Sequence, residues 1–203
     1  MASTVTYPGL LKLAEYVYQQ PEKIFCFNLS APFVSLCYSE RLAEILPLID
    51  VLFANESEIT SYAQSRSWTD DDIRVIISKL LAESSGRKKQ RLVIITQGAG
   101  PVLVGDTVNN NIHEFPAPLM DPDEIVDTNG AGDAFVAGYL SQYVNGQTLE
   151  KCIQSAIYTA QAIIRQDGCS IPPHPPQLDY STSEQQVAQC TSAGNENDCK
   201  QEE

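Results

Sequence analysis

The chain has 203 residues, 43% of them hydrophobic, which is enough for one sizeable α/β domain with a hydrophobic core and too few for two. Its net charge of −13 excludes wholesale binding to nucleic acid or anionic membrane, while leaving room for local capture of a phosphate by backbone amides and a metal ion. Two histidines and six cysteines (Cys26, Cys37, Cys152, Cys169, Cys190 and Cys199), none in a C-x-x-C pair, argue against a zinc site and for reduced thiols in the cytosol.

Met1 to Gln20 lacks a basic start followed by an apolar run, so no signal peptide is expected. Leu10, Leu13, Ala14 and Val17 recur at helical spacing within Leu10 to Tyr18, and Pro21 stops that helix. Lys23 to Leu29 predicts a short strand with Phe25 and Phe27 on one face, followed by a turn at Ser30-Ala31-Pro32. Ser39 to Leu46 predicts a helix ended by Pro47, and Asp50 to Ala54 a buried strand. Pro47 and Asp50 interrupt the longest apolar stretch, so no transmembrane helix is expected. Helices are predicted over Glu56 to Gln64 and Asp70 to Glu83; Asp70-Asp71-Asp72 reads as charge compensation at a helix start, not as a metal site. Ser85 to Gln90 is a basic turn.

Arg91 to Thr96 (RLVIIT) is a continuous apolar run and predicts a central strand, with Gln97 to Gly100 as a Gly-containing turn. Val102 to Val104 and Ile112 to Phe115 predict an antiparallel pair around Asn109-Asn110-Asn111. A strand is predicted over Glu124 to Val126. Next come a helix from Ala131 to Val144, with Phe135, Val136, Tyr139, Leu140 and Val144 toward the core, and another over Leu149 to Arg165. Strands alternating with helices predict a mostly parallel sheet with helices on both faces. Residues 1–173 form the expected domain. From 174 to 203 the chain is acidic, rich in Ser, Gln, Asn and Glu, and expected to be disordered.

The chemistry concentrates at Asp127-Thr128-Asn129-Gly130-Ala131-Gly132-Asp133. Small residues let the backbone turn tightly, and the N–H groups of the first helical turn, aided by the helix dipole, form an anion site. A carboxylate there, Asp133, can take a proton from a hydroxyl while the amides stabilise a transferring phosphoryl group. The spacing alone also fits a capped helix with an acidic first turn. Asn55 and Glu58 likewise fit a helix N-cap with its third-position partner. His113 and His174 match no motif, and Cys152 and Cys169 read as small buried apolar residues.

Asp127 to Gln142, DTNGAGDAFVAGYLSQ, resembles the C-terminal signature of ribokinase-family kinases, most closely that of adenosine kinases. Asn28 to Phe33 (NLSAPF), Asn55-Glu56-Ser57-Glu58 (N-x-x-E), Thr96-Gln97-Gly98 and Gly168 to Pro172 (GCSIP) resemble that family's segments in the same order. The resemblance implies a ribokinase-like α/β fold, here without the N-terminal part and lid. It also implies transfer of the ATP γ-phosphate to the 5′-hydroxyl of adenosine, giving AMP, in the cytoplasm, with the nucleus as a second compartment. By the same resemblance Asp133 is the catalytic base, and Gly130, Ala131 and Gly132 supply the anion hole. Thr96, Gln97, Gly98 and Asn129 contact ATP, and Asn55 and Glu58 organise Mg²⁺, partly through water. Asp127 is a ligand of a monovalent cation such as K⁺, with Gly168 and Ser170 in the same loop. No nucleic acid or membrane partner is implied. Two departures stand out: no residues match the family's ribose-holding N-terminal segments, and Ile157 stands where adenosine kinases often carry a histidine near adenine. The alternatives are a truncated, non-catalytic remnant or a kinase for another nucleoside or sugar; NLSAPF favours adenosine, and under either kinase reading the chain by itself is expected to form no AMP.

Overall fold

The computed structural model describes residues 6–83, 90–108 and 111–171. The expected tail at 174–203, most of the basic turn, Asn109, Asn110, His174, Cys190 and Cys199 lie outside the described residues. The chain divides into two compact units, Met1–Met120 and Asp121–Glu203.

In the first unit, α1 (Tyr7–Tyr18) starts with proline in its first turn, a position where the missing N–H has no cost, and buries Leu10, Ala14 and Val17. Strand β1 spans Cys26–Asn28 only, shorter than the expected Lys23 to Leu29. The reason is local: the Asp50 carboxylate accepts the Phe25 N–H at 2.8 Å, and the Phe25 carbonyl takes the Asp50 and Val51 N–H groups. A helix the pattern did not announce, α2 (Pro32–Cys37), opens at Pro32. It is followed by α3 (Ser39–Ile45) and a 3₁₀ turn, Leu46–Leu48. Strand β2 (Val51–Asn55) runs directly into α4 (Glu56–Ser65). Helix α5 (Ile73–Ala82) is capped by Asp72, whose side chain accepts the Arg74 N–H, and buries Ile76, Ile77, Leu80 and Leu81. Of the other acidic residues before it, Asp70 pairs with Lys79. Strands β3 (Leu92–Thr96), β4 (Val102–Asp106) and β5 (Ile112–Phe115) complete the sheet.

The sheet order is β1-β2-β3-β4-β5. Strands β1, β2 and β3 are parallel. The β3–β4 and β4–β5 pairings are antiparallel, so the sheet is mixed. Leu52, Ala54, Val93, Ile95 and Leu103 share one face and join the helices' apolar residues in a single core. Their neighbours Val51, Phe53, Ile94, Val102 and Val104 are buried as well. These central strands therefore read as unbroken apolar runs rather than alternating ones.

In the second unit, the expected strand at Glu124 to Val126 is absent. Pro122–Glu124 is a 3₁₀ turn, and Ile125 and Val126 are about half exposed, at 48% and 57%. Both Val126 and Asp127 donate their N–H groups to the Ile164 carbonyl, so this segment is tied to a helix end instead of a sheet. Helix α6 covers Ala131–Tyr143 and buries Phe135, Gly138 and Tyr139. Val144, expected in the core, is 77% exposed. Nine residues beyond Phe135, at about 100° per residue, it falls on the opposite side of the helix. Helix α7 (Leu149–Ile164) is capped by Thr148 and buries Cys152, Ile153, Ser155 and Ala156. The two helices pack closely.

Candidate active site

The start of α6 is shaped by Gly130. Its φ of 80° is left-handed, a conformation that strains residues with a Cβ. A Cβ there would also sit 2.5 Å from the Cys169 Sγ, which would have to swing aside, so the left-handed φ is the main reason for glycine here. The Ala131 N–H donates to the Thr128 carbonyl at 3.2 Å, and the Ala134 N–H to the Gly130 carbonyl at 2.9 Å. In the first turn the N–H groups of Gly132 and Asp133 have no partner among the described residues, as expected of an uncapped helix N-terminus. Of the expected anion-hole trio, Ala131 is thus already engaged. Gly132 and Asp133 are exposed, and the Asp133 carboxylate makes no hydrogen bond or ion pair among the described residues. An open carboxylate beside open amides can accept a proton and stabilise an anion at the same place.

The turn before α6 is organised by Asp127. Its carboxylate accepts the Asn129 backbone N–H at 2.9 Å and the Asn129 side-chain amide at 3.3 Å. The Asn129 backbone bond, chiefly, holds its pKa below the usual carboxylate range, with the Asn129 side chain and the Gly168 N–H adding to it. Asp127 and Gly168, two residues of the expected cation loop, are therefore brought together, whereas Ser170 turns its hydroxyl to the Asp167 carbonyl. Cys169 is exposed, contrary to the buried role expected from sequence, because its loop wraps over Gly130 rather than entering the core. Cys152 is buried as expected, and burial pushes its thiol pKa up. Across the helix pair, the Thr159 hydroxyl lies 2.9 Å from the Ala134 carbonyl, next to Asp133. No sequence motif flagged this residue; a lone helical threonine carries no signal until its facing glycine, Gly138, is known.

In the first unit, Asn55 and Glu58 form a complete capping box. The Asn55 side-chain oxygen accepts the Glu58 N–H at 2.9 Å. Glu58 in turn accepts the Asn55 backbone N–H and side-chain amide, each at 3.0 Å. Glu58 is buried, and that burial raises its pKa, with the bond from Asn55 opposing the shift. Thr96 is the register partner of Asn55 at the end of β3. Beyond it, the Gly100 N–H donates to the Gln97 carbonyl at 2.7 Å, and the Gln97 amide to the Pro101 carbonyl at 2.8 Å, which closes the turn around Gly98. A cavity of about 390 Å³ is lined by Asp71, Asp72, Ile73, Arg74, Gln97, Pro101 and Leu103. It reaches Gln97 but none of the other candidate residues. His113 lies on β5 with its Nε2 3.4 Å from Asp106, and takes no part in either constellation.

Among the described residues no three His, Cys, Asp or Glu side chains group as a metal cage, and no helix is long and apolar enough to cross a membrane. Residues 3–176 match the family described as pfkB family carbohydrate kinase. Adenosine kinase 1 of Arabidopsis thaliana is 38% identical over 155 residues, covering 75% of this chain and 44% of that protein. The adenosine kinase of Dictyostelium discoideum is 35% identical, covering 78% of this chain and 46% of that protein. Anopheles gambiae adenosine kinase, solved with P1,P4-di(adenosine-5) tetraphosphate, superposes with a TM-score of 0.77 at 40% identity, over 85% of this chain and 52% of that one. Schistosoma mansoni adenosine kinase, solved with adenosine and AMP, gives a TM-score of 0.76 at 35% identity, over 84% of this chain and 50% of that one. The chain spans about half the length of these relatives.

Proposed function

The chain belongs to the pfkB family of carbohydrate kinases, and from that premise we propose that it supplies the nucleotide-binding and proton-accepting portion of an adenosine kinase. The reaction is transfer of the ATP γ-phosphate to the 5′-hydroxyl of adenosine, giving AMP. The observation that carries this reading is the Asp133 carboxylate standing open on the first turn of α6, beside the unpartnered Gly132 N–H and directly after left-handed Gly130. The named relatives are adenosine kinases, and the ligands solved with two such structures are adenosine, AMP and an adenosine polyphosphate.

In this reading Asp133 takes the proton of the 5′-hydroxyl as that oxygen attacks the γ-phosphorus, and the leaving group is ADP. The Gly132 amide, with Gly130 and Ala131 shaping the turn, stabilises charge on the transferring phosphoryl group. Asn129 and the turn Thr96-Gln97-Gly98 contact the nucleotide. Asp127 and the Gly168 loop would hold a monovalent cation such as K⁺, which would add positive charge near the start of α6. We place the reaction in the cytoplasm, as a step of purine salvage.

Mg²⁺ suits the donor set on chemical grounds. It takes oxygen ligands and keeps several waters, so one carboxylate and the nucleotide's own phosphates suffice without a protein cage. Glu58 is the carboxylate, oriented by Asn55, and both of its oxygens retain lone pairs for water. Bound there, Mg²⁺ would neutralise phosphate charge.

The test of this assignment is Glu58→Ala. Loss of the capping box should lower stability by about 1 kcal/mol. In addition, the Mg²⁺ concentration needed for half-maximal activity, read in this chain joined to the part of a full-length relative that it does not cover, should rise. A melting curve alone cannot separate these roles, but a Mg²⁺ titration can. An unchanged Mg²⁺ requirement, together with the expected drop in melting temperature, would leave Glu58 as a cap and nothing more.

A further inference from the structure

We infer that Asn28 is a phosphate-binding residue of the nucleotide site, an assignment that rests on the kinase reading above. Three adjacent parallel strands end in Asn28, Asn55 and Thr96. The carboxyl ends of parallel strands are where open α/β sheets receive ligands. Register pairs Asn28 with Phe53 and Asn55 with Thr96. Strand alternation then sets Asn28, Asn55 and Thr96 on one face, opposite the face on which Leu52, Ala54, Val93 and Ile95 meet the helices. Asn28 lies one strand across and two residues back from Asn55, roughly 8 Å away by standard sheet spacings.

The two asparagines differ in what they leave open. Asn55 is engaged through both ends of its amide with Glu58. Asn28 offers its Oδ1 to the Ser30 N–H at 3.1 Å, and the Ser30 hydroxyl returns to the Asn28 carbonyl at 3.2 Å. Ser30 holds this turn at a φ of 68°, a left-handed conformation disfavoured for any residue with a Cβ. With Oδ1 fixed inward, the planar amide directs its Nδ2 the other way, and that nitrogen has no partner among the described residues. The result is a pair of pre-oriented N–H donors with the acceptor end already occupied. Such a group suits an anion with several oxygens and is unsuited to a cation. At this end of the sheet, the anion that the reaction brings is the nucleotide phosphate chain.

Two variants of the 203-residue chain separate this role from a purely structural one. Asn28→Asp keeps an oxygen to accept the Ser30 N–H, so the turn and the melting temperature should be retained, but it replaces both N–H donors with negative charge. Asn28→Ala removes the turn acceptor and the donors together. Binding of ATP is measured by calorimetry, with Mg²⁺ and again in EDTA, so that a carboxylate–metal bridge cannot mask repulsion. Both variants should bind ATP about tenfold to a hundredfold more weakly, the worth of a hydrogen bond to a charged group, while Asn28→Asp melts with the wild type. Wild-type ATP affinity in Asn28→Asp would overturn the inference, since a turn residue, or a contact to a neutral hydroxyl, would tolerate the carboxylate. Failure of the wild-type chain to bind ATP at all would overturn the nucleotide reading itself, and this assignment with it.

Discussion

Asp133→Asn, in this chain joined to the part of a full-length relative that it does not cover, should lower kcat for adenosine phosphorylation by about 10²- to 10⁴-fold, the usual worth of a general base. The substitution is nearly isosteric, and the carboxylate it replaces makes no hydrogen bond or ion pair among the described residues. Folding therefore has little to lose, and the first turn of α6 should keep its open amides. ATP affinity should change far less than kcat, because the nucleotide contacts assigned to Asn129 and to Thr96-Gln97-Gly98 are untouched. The pattern to look for is a fall in kcat and kcat/KM together, which marks an interaction made in the transition state. A variant that turned over at the wild-type rate would remove Asp133 from this role.

The second large effect is structural. Gly138→Ala should destabilise the second unit by about 3 kcal/mol, the upper end of what overpacking costs. A Cβ at Gly138 would stand 2.0 Å from the Thr159 hydroxyl, 2.6 Å from the Ser155 carbonyl oxygen and 2.9 Å from the Ala156 Cα. The hydroxyl can rotate away; the backbone atoms of α7 cannot, so the helices must part. Parting them also breaks the bond between Thr159 and the Ala134 carbonyl, one residue from Asp133. Alanine's better helix propensity offsets about 1 kcal/mol of this. Urea unfolding of the two proteins measures the difference, and hydrogen exchange should place it in α6 and α7. Equal stability of Gly138→Ala and wild type would mean that the helices are not held at this closeness.

The α/β, ribokinase-like fold was legible from the sequence because its strongest signals are local. The RLVIIT run marked β3, and the Asn55-to-Glu58 spacing marked the start of α4, where the complete capping box stands. The antiparallel pair around the Asn109 region was legible for the same reason. What failed depended on partners. Ile125 and Val126 look like strand residues, yet they form no strand, and the Ile164 carbonyl takes the N–H groups of Val126 and Asp127 instead. Val144 is apolar but sits on the wrong side of α6. Cys169 is small and apolar, yet its loop keeps it at the surface against Gly130. At the candidate site the glycine-rich turn and Asp133 were readable as a motif. The engagement of Ala131 by Thr128, the closure of Asn55 on Glu58, and the freedom of the Asn28 amide are matters of hydrogen-bond partnership, which spacing does not encode.

The central claim is that this chain carries the phosphate-handling and base chemistry of adenosine phosphorylation. It is tested most directly by joining the 203-residue chain to the portion of Arabidopsis thaliana adenosine kinase 1 that it does not cover, and following label from γ-labelled ATP in the presence of Mg²⁺ and adenosine. The account predicts labelled AMP from the joined protein, and its near disappearance when Asp133→Asn is introduced in this chain. Labelled AMP formed equally well with Asp133→Asn, or label passing to a free sugar while adenosine stays unphosphorylated, would contradict it.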